Sequence, residues 1–155
     1  MTSMLQRLAD LRRLRAERAF EVLSARNQEL REAERAAEEA ARAVAEHVEE
    51  TRARERSLIA GLAGRTVRAS AIMAVEAELD AAARETAQRQ EAVDRARADI
   101  ETRRSARAQS FQEFQMRQRA QQKIDFANDE EIARQARREA ESEGGGDAEG
   151  TGKPS

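Results

Sequence analysis

Two glycines, Gly61 and Gly64, are the only interruption in a chain that otherwise reads as helix from about Ser3 to about Glu141. Glycine costs about 1 kcal/mol relative to alanine in a helix interior. A pair three residues apart, near the midpoint of the helical region, therefore marks a hinge. The only proline is Pro154, so nothing else breaks either arm. The chain is expected to run as one helix over about 3–62, turn over about 61–66, and return as a second helix over about 67–141.

Apolar spacing supports this hairpin. In the first arm Leu23, Leu30, Ala37, Val44, Thr51 and Leu58 recur every seven residues, with Phe20, Ala41, Val48 and Leu62 as flanking positions. In the second arm Ile72, Leu79, Thr86, Val93, Ile100, Arg107 and Phe114 repeat at the same period, accompanied by Val75, Ala82, Ala96 and Phe111. Seven-residue repeats are the signature of a coiled-coil seam. Folding the chain back at about residue 65 sets position i against 130 − i, so that Leu58 meets Ile72, Leu30 meets Ile100 and Ala16 meets Phe114. The fold class is thus all-α: a single long antiparallel two-helix coiled-coil hairpin. Each arm of about 60 residues would extend roughly 90 Å. Asn27 and Arg107 are polar interruptions of the seam. Ser3 and Gln6 fit a capping box at the first helix, while Thr66 and Ser70 are the candidate caps of the second. From Gly144 to Ser155 the chain is rich in glycine and acid without apolar periodicity, and a disordered tail is expected.

Composition agrees. Charged residues make up 37% of the 155, there are four Phe, and Trp, Tyr and Cys are absent. Such a chain has too few large apolar residues for a compact core, but suits long helices. No apolar run approaches the roughly 18 residues of a membrane span. Arg7, Asp10, Arg12 and Arg13 interrupt the N-terminus too early for a secretion signal, so a cytoplasmic protein is expected.

The net charge of −2 conceals an asymmetry. Residues 1–18 hold five Arg and two acids, and residues 103–123 hold five Arg and Lys123 against Glu113 alone. These segments meet at the open end of the hairpin, where all four Phe also lie. Beyond them, residues 127–149 carry eight acids and three Arg. The plain reading is that the Phe close a fraying end and the Arg are solvated. The functional reading is a docking end for an acidic protein partner, since Arg and aromatic side chains concentrate binding energy at interfaces. Nucleic acid is not expected as a partner, because Arg alternates with Glu along most of the chain and no spaced aromatic platform exists.

Catalysis is not expected. His47 is the only histidine, which excludes Ser-His-Asp and Cys-His sites, and a flanking place in the seam suits it better. Gly64-Arg65-Thr66 lacks the earlier glycine and the lysine of a phosphate-binding loop. No His or Cys cluster is available for a metal, and no cofactor is implied.

The residues Arg12-Arg13-Leu14-Arg15-Ala16-Glu17-Arg18-Ala19, the turn from Ser57-Leu58 through Val67, Arg103-Arg104-Ser105-Ala106-Arg107 and the acidic Asp129-Glu130-Glu131 resemble the YscO/FliJ family of type III secretion, the injectisome branch more than the flagellar one. The resemblance implies a non-catalytic central stalk at the inner-membrane export apparatus, similar to the rotor of rotary ATPases. Its partners would be the hexameric secretion ATPase, the export-gate protein and secretion chaperones. By position, Arg12, Arg13, Phe20, Arg107, Phe111, Phe114, Arg117 and Arg119 would meet the ATPase. Leu58, Ile59, Leu62, Arg65, Val67 and Met73 at the turn would face the gate. Two other classes stay open: a structural coiled coil that dimerises into a four-helix bundle, and a membrane- or DNA-associated rod.

Overall fold

The computed structural model describes residues 3–149. Two helices make up the fold, α1 (Met4–Leu62) and α2 (Ala69–Glu149), and they pack against one another. Ser3 caps α1: its hydroxyl accepts from the Gln6 backbone N–H at 3.0 Å. The reciprocal half of the capping box is not made, because the Gln6 side-chain oxygen instead accepts from Asn128 Nδ2 at 3.1 Å. The turn assigns different roles to the two glycines. Gly64 adopts a positive φ of 71°, the left-handed conformation that terminates helices, whereas Gly61 lies inside α1. At the start of α2 the Arg68 carbonyl accepts from the N–H groups of Ala71 and Ile72. Neither Thr66 nor Ser70 caps this helix. α2 continues past the expected end near residue 141 to Glu149, with residues 133–144 wholly exposed. The rest of the expected tail, residues 150–155, lies outside the described residues.

The chain divides into two units, each built from a piece of both helices. One comprises the residues up to Ser24 and those from Gln109 onward; the other is Ala25–Ala108.

In the Ala25–Ala108 unit the helices are antiparallel. Arg54 Nε lies 2.8 Å from Glu78 Oε1, His47 Nε2 lies 3.3 Å from the Ala82 carbonyl oxygen, and Arg103 Nη1 lies 3.2 Å from Glu29 Oε2. Asn27 Oδ1 accepts from Arg107 Nε at 2.7 Å, so the two polar interruptions of the seam satisfy each other. Arg54–Glu78 and Glu29–Arg103 sit two residues, and Asn27–Arg107 four residues, beyond the register expected from the fold-back arithmetic. The offset has a cause in helix geometry. Cα–Cβ bonds tilt toward a helix's own N-terminus. In an antiparallel pair the two sets of side chains therefore lean in opposite directions along the axis, and the residues that touch lie C-terminal on both helices to those with facing Cα atoms. The packed interior is thin, with Ala33 and Val93 as its buried residues.

His47 takes the seam place expected of it, with its side chain only 11% exposed. Its ring donates to the Ala82 carbonyl and lies 3.9 Å from Glu85 Oε2. The Glu85 carboxyl is held below its ordinary value mainly by its hydrogen bond with Arg89, and also by His47. Glu29 is lowered first by its hydrogen bond with Arg26, with Arg103 adding to the effect.

The other unit buries Ala9, Ala16, Ala19, Leu23 and Ile124. The seven-residue ladder thus extends below Leu23 through Ala16 to Ala9. Of the companions expected four residues on, Val48 and Leu62 are half-buried at the seam, whereas toward the chain termini the buried companions lie three residues on, at Ala19 and Ala33. Phe20 is 54% exposed and Ala41 is exposed, because a step of four carries a residue to the rim of the seam. The alanines explain how the helices approach: small side chains let the backbones close, and the seam needs no large residue to fill it.

Candidate protein-docking site

Helical geometry separates the surface around the Ala9–Ala16–Leu23 seam into two flanks. At about 100° per residue, positions 15, 18 and 22 fall to one side of the seam and positions 13, 17 and 20 to the other. Each flank forms a groove with α2. The first is lined by Arg15, Arg18, Ala19 and Val22 from α1, and by Gln109, Ser110, Glu113 and Arg117 from α2. The second is lined by Ala16, Glu17, Phe20 and Glu21 from α1, and by Phe114, Gln118 and Gln121 from α2.

The two grooves differ in charge. Among the described residues, the side chains of Arg15 and Arg18 make no hydrogen bond or ion pair, and those of Arg7, Arg119 and Lys123 are equally free. Arg117 is paired with Glu113, Nε to Oε1 at 2.8 Å. The opposite groove carries Glu17 and Glu21 beside the phenylalanines. There the rings of Phe20 and Phe114 meet at 5.7 Å between centroids and 56° between planes. Phe114 thus faces Phe20, one helical turn beyond its expected opposite Ala16, although Ala16 lines the same groove.

The expected ATPase-docking residues do not form one patch. Arg12 is engaged across the seam, its Nη1 donating to the Ala120 carbonyl at 3.0 Å. Arg13 lies 3.8 Å from Asp10 and 3.9 Å from Asp125. Arg107 belongs to the Ala25–Ala108 unit and is spent on Asn27. Phe20, Phe111, Phe114, Arg117 and Arg119 lie in the open-end unit. At the turn, Ile59, Arg65 and Met73 are exposed, whereas Leu58, Leu62 and Val67 are half-buried.

The structure adds residues that the seven-spaced ladders pass over. Met4, Leu8, Leu11 and Val22 are exposed and lie on one stripe of α1, beside the seam, on the flank of Arg15 and Arg18. Met116 and Phe126 are exposed on α2. Their signal was present as a second apolar spacing of three and four residues, offset from the alanine ladder.

Among the described residues no group of three or more His, Cys, Asp or Glu could hold a metal ion, and no helix is long and apolar enough to cross a membrane. No family model matches the chain, nor does any curated protein or solved structure.

Proposed function

We propose that this chain is a non-catalytic helical docking protein, the stalk of a type III secretion export apparatus, peripheral to the inner membrane. The open-end unit would bind the hexameric secretion ATPase, and the turn would meet the export-gate protein, with secretion chaperones as further clients. One observation carries the docking reading. Of the thirteen exposed large apolar side chains among the described residues, ten lie in the open-end unit, interspersed with free cations. Surface that is apolar and also cationic fits a partner with an acidic rim around an apolar centre. The secretion assignment rests on the sequence resemblance. The remaining three, Ile59, Ile72 and Met73, all flank the turn and supply its contact.

The test is a pair of variants assayed for binding and stimulation of the secretion ATPase. Phe114→Ala with Arg117→Glu and Arg119→Glu should abolish both. Ile59→Ala with Arg65→Glu should spare both and weaken the export-gate contact. The reverse pattern would place the ATPase at the turn. An ATPase that binds neither variant nor the parent would leave a structural coiled coil. The heptad-spaced Met4, Leu8 and Leu11 favour that second reading, because a second copy could cover them in a four-helix bundle.

A further inference from the structure

Charge distinguishes the grooves on the two flanks of the seam. On the Val22 side, an apolar floor of Ala19 and Val22 is bordered by Arg15 and Arg18, whose guanidinium groups have no partner among the described residues. Leu8 and Leu11 extend the same apolar stripe toward the N-terminus of α1. On the Phe20 side, Glu17 and Glu21 border the aromatic pair and would repel a carboxylate.

We propose that the Val22-side groove receives a third helix, presented by a partner protein, whose apolar stripe is flanked by Asp or Glu. The inference rests on the docking reading and specifies the partner's chemistry at that site. Two antiparallel helices leave a groove on each flank of their seam, and an amphipathic helix fills such a groove through anchors at i, i+3, i+4 and i+7. The spacing of Leu8, Leu11, Arg15, Arg18 and Val22 presents this pattern. A helix that buried Leu11 and Val22 would lie alongside Arg15 and Arg18, so its carboxylates would pair with guanidinium groups that no hydrogen bond or ion pair engages among the described residues. A flat lipid surface fits less well, because the floor of Ala19 and Val22 is recessed between two helices.

The probe is a synthetic helical peptide of about three heptads, with leucine on one face and glutamate on both borders. A second peptide has lysine in place of every glutamate. Binding to the full chain is followed by fluorescence anisotropy. The glutamate peptide should bind the parent chain. It should lose about tenfold or more in affinity for Arg15→Glu with Arg18→Glu, because like charges then face each other. The lysine peptide should recover binding to that variant. Phe20→Ala with Glu17→Gln should bind the glutamate peptide as the parent does, with helix content by circular dichroism equal in all. Loss of binding only in the Phe20 variant would overturn the choice of groove. Several further results would overturn the helix itself. These are equal binding of both peptides, no binding of the glutamate peptide, a dimer in sedimentation equilibrium dissolved by Val22→Glu, or binding to phosphatidylglycerol vesicles in place of the peptide. Peptide binding that follows these rules, with no binding of the secretion ATPase, would keep the groove and overturn only the stalk reading. ATPase binding without peptide binding would do the opposite.

Discussion

The two units are built from the same pair of helices, yet they handle apolar surface differently. Ala25–Ala108 carries little beyond what its seam uses: Val93 and Ala33 are buried, the exposed large apolar residues sit only beside the turn, and ion pairs tie the helices together. The open-end unit buries more and also leaves more outside. Its seam is lined by Ala9, Ala16 and Ala19, which lets the helices approach but covers little side-chain area, so Met4, Leu8, Leu11, Phe20 and Val22 stay in contact with water. Apolar surface that folding does not use is available to a partner. On the proposed reading, one unit serves spacing and the other binding.

The sharpest way to break that comparison is to separate inside from outside within the open-end unit. Ala9 is 1% exposed, so Ala9→Asp places an unpaired charge in the seam and should cost about 3 kcal/mol or more. Leu8→Gln, one residue away on the exposed stripe, should change stability by no more than about 0.5 kcal/mol. Thermal melts of both variants check this. Equal effects would show that the exposed stripe is structural.

In the other unit, Val93 is 2% exposed. Val93→Ala should cost about 2 kcal/mol by lost burial and an unfilled space, read from chemical denaturation. A negligible cost would mean that this seam is held by its ion pairs.

The turn glycines should respond with opposite signs. Gly64→Ala forces a side chain into the left-handed region and should destabilise by about 1 kcal/mol. Gly61 is helical, with nothing within 4 Å of an added Cβ, so Gly61→Ala should stabilise by about 0.5–1 kcal/mol. Melting temperatures that move in the same direction would refute this division of labour.

The smallest effect concerns acid. Glu29 and Glu85 have carboxyl groups held below their ordinary value of 4.5 by their arginine partners. A lowered folded-state value means that the charged form stabilises the fold above the ordinary value, and that this contribution is lost as pH falls through the folded value. Glu29→Gln should therefore flatten the acid limb of a stability–pH curve and lower its plateau at neutral pH, with only a slight effect because the pair is solvated. An unchanged limb would show that the Arg26–Glu29–Arg103 cluster contributes nothing.

Much of this architecture was legible in the sequence because period is a strong signal. The hinge, both helices and the inward ladder from Leu23 to Leu58 follow from spacing alone. Val48 and Leu62 hold their expected companion places, but Phe20 and Ala41 do not, because alanine reads as neutral: Ala19 and Ala33 are as good a seam as leucine when helices approach closely, while Phe20, though larger, stands at the rim. The same neutrality hid the open-end stripe: Ala16 was read opposite Phe114, but Ala9 did not advertise that the seam runs on to leave Leu8 and Leu11 outside. Arg12, Arg13 and Arg107 could be read only as charges, and their spending on Ala120, Asp125 and Asn27 depends on which face each occupies.

Amide hydrogen exchange of the chain, alone and with the hexameric secretion ATPase proposed as its partner, tests the proposed division into a spacing unit and a binding unit most directly. The account predicts new protection confined to residues 4–24 and 109–128, with residues 25–57 and 75–108 unchanged. Protection centred on 25–108, or none under conditions where the two proteins bind, would contradict it.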